Sequence, residues 1–193
     1  MNSESTPPDQ ASAKIAEPSD IVTFWREAGP KAWFKKDENF DAEIRRRFLH
    51  SHEAAVGGEL TGWEGNAEGA LALLILLDQF PRNMFRGSAR MFASDPQARS
   101  IAAGSITRGF DAEVAKTMRG FFYLPFMHSE NLDDQLRAVA FYKAIDDADG
   151  LKWAEEHAGI VRRFGRFPHR NAVLGRATSP EEQTFLEAGG FSG

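Results

Sequence analysis

The stretch Asn66-Ala67-Glu68-Gly69-Ala70-Leu71-Ala72-Leu73-Leu74-Ile75-Leu76-Leu77-Asp78-Gln79-Phe80-Pro81 decides the fold class. From Ala70 to Leu77 it is apolar on every side of a 3.6-residue turn, and a helix that is apolar all round belongs at the centre of a protein. The run is far shorter than the roughly 20 residues needed to cross a bilayer. A helix is expected from Asn66 to Gln79, ending there because Pro81 pushes the residue before it out of the α region.

Working outward, helical signals flank this segment on both sides. Upstream, Phe40, Ile44 and Phe48 recur every four residues and mark the buried stripe of a helix ending near Gly57-Gly58. Before it, Ser19 or Asp20 can cap a first helix through Ile21, Phe24 and Trp25, which stops at Gly29-Pro30. Downstream, Asp95-Pro96 supplies an N-cap and a first-turn proline for a helix toward Arg108, and Asp111 opens another to about Phe122. Ser129 or Asn131 opens the next, with Leu132, Leu136, Val139 and Ile145 on its inner side. Gly150 separates it from a helix carrying Trp153, His157, Ile160, Val161 and Phe164, and the capping box Ser179-Pro180-Glu181-Glu182 starts a short last one. No segment alternates with period two, so the expected fold is all-α, an array of about eight antiparallel helices.

At 193 residues the chain fits one domain, expected over residues 19–188. Residues 1–18 are polar and rich in Pro, Ser and Ala, and are expected to be a disordered lead-in without the apolar stretch of a signal peptide. Residues 189–193 are expected to form a flexible tail. The absence of cysteine excludes disulfides, thiolate metal sites and Cys nucleophiles, and fits a cytoplasmic location.

Three segments hold more chemistry than a helical core requires: Leu77 to Asn83, Tyr123 to Glu130 and Arg163 to Asn171. Each sets a proline beside aromatic residues and then strings together Asp, Arg, His, Glu or Asn. All three adjoin helices, which points to one polar site assembled from three places in the chain. The net charge of −5 argues against nucleic acid as a partner. Yet Ile160 to Arg176 holds Arg162, Arg163, Arg166, Arg170, Arg176 and His169 without a single acid. A basic segment inside an acidic chain suggests a local anion site, and the planar guanidinium suits bidentate contact with carboxylate or phosphate.

Asp78 stands at the expected C-terminal end of the central helix, where the macrodipole disfavours a carboxylate unless a cation faces it. It is either half of a structural ion pair or the orienter of a ligand-binding Arg, with Arg82 close by. His128 and Glu130 form an acid–base pair if extended, although Ser129 and Glu130 are also explained by capping. In Arg163-Phe164-Gly165-Arg166-Phe167-Pro168-His169-Arg170-Asn171 the choice is between a well-bonded turn and an anion site, because the arginines exceed what one helix end needs. His157 and His52 lie on apolar faces and read as core histidines. An EF-hand register at residues 145–156 lacks its first carboxylate, Ile145 standing there, so no metal site is expected. There is no phosphate-cradling glycine loop and no Gly-x-Ser-x-Gly elbow, and no cofactor is expected.

These three segments in this order, with Leu174-Gly175-Arg176 following the third, resemble the bacterial family called domain of unknown function 924. The resemblance covers about Asp20 to Leu186. It implies an all-α fold similar to tetratricopeptide-like arrays and transfers no activity. The leading functional expectation is therefore drawn from the residues. It is binding of a small anionic molecule or acidic peptide end through Asp78, Arg82, Asn83, Arg163, Arg166, Arg170 and Asn171. The alternatives are a hydrolase- or transferase-type enzyme using His128, Glu130 and His169, and a protein–protein scaffold.

Overall fold

The computed structural model describes residues 14–191, and the expected behaviour of residues 1–13 and 192–193 lies outside them. Residues 14–17 carry no regular secondary structure, and the Ala16 N–H donates to Ser51 Oγ at 2.9 Å. The helices are α1 (Pro18–Ala28), α2 (Pro30–Trp33), α3 (Glu38–Val56), α4 (Ala67–Leu74), α5 (Phe80–Met84), α6 (Asp95–Thr107), α7 (Phe110–Glu113), α8 (Lys116–Arg119), α9 (Leu124–Met127), α10 (Leu132–Ala144), α11 (Ala148–Phe164) and α12 (Pro180–Glu187). No strand occurs among the described residues, and the fold is all-α. No helix of the described residues is long and apolar enough to cross a membrane.

As its composition predicts, α4 is central: Ala70 to Leu77 are all buried, packed by α1 on one side and α6 on another. The aromatic stripe of α3 meets the segment just beyond, where Phe48 stacks on Phe80 at 4.9 Å. The chain does not leave the helix before Pro81, however. Phe80 keeps α-helical angles (φ −59°, ψ −35°), and α5 runs straight on. One wide turn, Ile75–Gln79, makes this possible. There the Phe80 N–H donates to the Ile75 carbonyl five residues back rather than four.

The widening makes room for the proline ring, and together with the N–H that Pro81 lacks it leaves carbonyls open to other donors. Leu76 O receives His52 Nδ1 at 2.8 Å, Leu77 O receives the Ser94 hydroxyl at 2.6 Å, and Asp78 O receives the Arg82 guanidinium. Buried backbone acceptors must be met somewhere, and here side chains meet them. Asp78 therefore lies inside a continuous helix, not at its C-terminal end.

Other sequence expectations need correction in detail. Neither Ser19 nor Asp20 caps α1, which starts at Pro18 after an extended Glu17. The N-cap of α6 is Ser94, which frees the Asp95 carboxylate for other work. The helix expected from Asp111 to Phe122 is broken at Val114, whose ψ of 162° is extended, and it survives as α7, α8 and a 3-10 turn. Along α10 the buried positions are Gln135, Ala138 and Tyr142, so Leu136 points outward at 45% exposure. Trp153 on α11 is likewise 46% exposed, while His157, Ile160 and Val161 are buried. A single apolar residue off the stripe is tolerated on a surface, and periodicity alone does not reveal it.

Helices α10 and α11 form a hairpin whose turn passes through Asp146 (φ 55°), after which Asp147 caps α11 by accepting the Gly150 N–H at 2.9 Å. Gly150 belongs to the first turn of α11 and does not separate the two helices. A Cβ there would sit 2.3 Å from the Tyr142 ring, and Tyr142 is pinned by its hydroxyl to the Gly120 carbonyl at 3.1 Å. Gly150→Ala should therefore destabilise the protein by about 1–3 kcal/mol through overpacking. Chemical denaturation checks this, and an unchanged midpoint would mean that the ring has somewhere to go.

Candidate functional site

The site is built around Asp78, which is 1% exposed. Its carboxylate accepts from Gln79 Nε2 at 2.5 Å, pairs with His128 Nδ1 at 2.8 Å, and lies 3.3 Å from Arg82 Nη1. Burial pushes the Asp78 carboxyl up, but Arg82, His128 and Gln79 together outweigh burial and hold it at about 2. A carboxylate fixed as an anion orders its neighbours: His128 must present Nδ1–H to it, which leaves Nε2 as the other face of the ring. Nε2 has no hydrogen-bond partner among the described residues. Burial, followed by Arg82, lowers the His128 pKa below its ordinary value, with Asp78 opposing, so the imidazole is neutral at pH 7.

Arg82 links this pair to a second carboxylate. Its two terminal nitrogens grip Asp95 in a bidentate fork at 3.0 and 3.1 Å. Asp95 is buried in the first turn of α6, where the helix dipole favours its charge. Sequence reading assigned Asp95 to capping and so missed it as a site residue. The preceding Ser94, itself a good N-cap, was the available signal.

On the far side of Asp95 stands Arg170, only 7% exposed, from the 3-10 turn Pro168–Arg170. Its Nη1 is 3.7 Å from Asp95 Oδ2, too long for a hydrogen bond, and its Nε is buried without a partner. No hydrogen bond from this guanidinium is formed among the described residues. It is held instead by aromatic faces, 4.4 Å from the Phe92 centroid and 4.6 Å from that of Phe167. Burial, with Arg82 nearby, lowers its pKa to about 10, which keeps it charged at neutral pH.

Two further histidines lie on the Phe167 side of the cluster. His157 on α11 pairs Nδ1 with the Trp153 carbonyl at 2.8 Å and lies against the Phe167 and Phe191 rings. His169 has Nδ1 buried without a partner among the described residues. Burial lowers His157 to about 4, and burial with Arg170 lowers His169 to about 3.

All three segments thus contribute: Asp78 and Arg82 from the first, His128 from the second and Arg170 from the third, with His169 set against the Phe167 and Phe191 rings. The remaining candidates are engaged elsewhere. Glu130 accepts the Phe167 N–H at 2.8 Å and grips Arg176 at 2.6 and 2.9 Å. Arg166 grips Glu182 at 2.6 and 2.8 Å, Arg163 meets Glu181 at 2.9 Å on the surface, and Asn171 bonds Thr178, Glu182 and Arg176. These four clasp the C-terminal segment carrying α12 against the end of α11. The expected Ser179–Glu182 capping box is present and holds Glu182 in place. Asn83 turns the other way, to Asp41 at 2.7 Å, which also pairs with Arg86.

The model of the family described as bacterial protein of unknown function (DUF924) matches residues 21–190. The chain belongs to this family. A solved structure of a protein of unknown function from Agrobacterium tumefaciens is 51% identical to it, with a TM-score of 0.86 over 89% of this chain and 97% of that one. No curated protein matches. In this DUF924 member the polar cluster spans α4–α5, α6 and the segments flanking α9 and α11, so its residues are far apart in sequence.

Proposed function

We propose that this chain binds a small anion, with Arg170 as the anchor and His128 as the second contact. The observation that supports this reading is Arg170 itself, a buried guanidinium with unused donors, poised between two phenyl rings. Buried cations are ordinarily paired and hydrogen-bonded, and one left without hydrogen bonds disfavours folding. Asp95 orients it from 3.7 Å but is already held by Arg82, so donors of Arg170 stay available to a ligand. Arg163 and Arg166, whose guanidiniums are taken by Glu181 and Glu182, act in this reading as structural residues.

Thermal stability should rise with added acetate, phosphate or sulfate and saturate at low millimolar concentration, whereas chloride at matched ionic strength should not reproduce the effect. Arg166→Ala should keep the response, and Arg170→Met should lose it. Without added anion, Arg170→Met leaves Asp78 and Asp95 facing Arg82 alone, so one buried negative charge is uncompensated and the variant should be less stable than the parent. An Arg170→Met protein that responds to the anions as the parent does would overturn the reading in favour of a scaffold role.

The Asp78–His128 pair at 2.8 Å supports a second reading, acid–base catalysis on the bound ligand through His128 Nε2. The nearby hydroxyls of Ser94 and Ser129 are bonded to Leu77 O and Asp134, so water would be the nucleophile in a hydrolysis. Ester turnover lost in His128→Gln with anion binding retained would support it. Equal turnover in parent and variant would remove it.

A further inference from the structure

The charges of the cluster name the ligand class, on the footing of the anion-binding reading above. Asp78 and Asp95 are balanced by Arg82 and Arg170, so the assembly is neutral before any ligand arrives. A monoanion would leave one uncompensated negative charge in a buried site, and a dianion two, each at high desolvation cost. Something must supply positive charge with the ligand.

His128 is placed to supply it. Asp78 Oδ1 takes Nδ1 at 2.8 Å, so an incoming proton goes to Nε2, and the imidazolium that results is stabilised by a carboxylate already on its other side. The charged and titratable groups facing it are Asp78 and Arg82 from the α4–α5 segment and Asp95 from α6. From its own loop comes Glu130, whose charge is taken by Arg176. His157 from α11 and His169 with Arg170 from the 3-10 turn complete the set. His157 is bonded to Trp153 O and set against two phenyl rings, and His169 lies against Phe167 and Phe191, so neither offers the polar setting that Asp78 gives His128.

We infer that this site takes up a carboxylate together with one proton from solvent, the proton residing on His128 Nε2 and the carboxylate oxygens shared between that N–H and the Arg170 fork. One proton balances one monoanion, whereas a phosphate dianion would need a second. The N-terminus of α6, the helix end beside the cluster, already carries Asp95 in its first turn. The carboxylate can belong to a free small acid or to the C-terminus of a peptide, and the chemistry at Arg170 and His128 is the same.

Isothermal titration of the unmodified protein between pH 6 and 8.5, in pairs of buffers with different ionisation heats, counts protons taken up per ligand. The probes are acetate, a tripeptide, its C-terminal amide, and inorganic phosphate. Acetate or the free tripeptide should bind with close to one proton taken up, and its Kd should rise roughly tenfold per pH unit on the alkaline side. Preference for acetate points to a free acid, preference for the tripeptide over its amide to a chain end. Carboxylate binding without proton uptake, or phosphate binding tighter than either carboxylate at pH 8, would overturn this inference and leave anion binding standing. If no probe binds, both fall. His128→Asn should bind more weakly and without the pH slope, and a slope that survives in this variant would place the proton elsewhere. The proton count on the parent decides the matter even if the variant fails to fold.

Discussion

Asp78→Ala should destabilise the protein by about 3–5 kcal/mol at pH 7, the range for breaking a buried ion pair from one side. Removing this carboxylate strands the His128 Nδ1–H and the Gln79 amide, both inside the protein, and leaves Arg82 with Asp95 alone. Asp78→Asn keeps the volume and one acceptor, so its loss should be smaller, about 1–3 kcal/mol. Urea unfolding with an unchanged slope reads both. A loss below about 1 kcal/mol in the alanine variant would put Asp78 among exposed pairs, against its burial.

The second large effect is acid destabilisation well above the usual carboxylate range. His157 titrates at about 4 and His169 at about 3 in the folded chain, against 6.5 for a free imidazole, in both cases chiefly through burial. Below pH 6.5 the unfolded state therefore binds protons that the folded state refuses, and stability falls as pH falls. At about 1.4 kcal/mol per pH unit, His157 alone accounts for about 3 kcal/mol between pH 6.5 and 4. His169, nearer the surface, adds less than its shift implies because solvent screens it. Asp78 adds its own loss lower down, as pH falls from 3.8 toward about 2. Unfolding free energy measured at half-unit intervals should fall steadily from pH 6.5. His157→Phe, packed against the same rings, should flatten the curve. A flat parent curve between pH 6.5 and 4.5 would mean that these histidines are hydrated.

Much of the fold was legible because its signals are local. Ala70 to Leu77 could only be central, and the Phe40, Ile44 and Phe48 stripe faces inward apart from the partly exposed Phe40. What escaped was set by neighbours far away in sequence. Pro81 reads as a stop, yet the helix continues because Ser94 and His52 meet the carbonyls that the proline and the wide turn leave open. The candidate site divided on the same principle. Composition singled out the arginines of residues 160–176, but only three-dimensional pairing separates Arg170, whose guanidinium makes no hydrogen bond among the described residues, from Arg166 and Arg176, which are locked to glutamates. Asp95 was hidden because Asp before Pro has a sufficient local explanation at a helix start.

The wide turn at Ile75–Gln79 is also a matter of angular phase. Each residue of an α-helix advances by about 100°, so a turn holding one residue extra rotates all that follows by about that angle. That rotation points Arg82 at Asp95 on one flank while Asn83 meets Asp41 on another. Deleting any one residue of 75–77 would turn Asp78 to Asn83 by about 100° relative to the helix before them and remove the room made for the Pro81 ring, so with every polar side chain still encoded Arg82 would face a different neighbour. The cluster thus depends on the length of its central helix as much as on the identity of its residues. A relative one residue shorter at this point could keep Asp78, Arg82 and Arg170 and still lack the site.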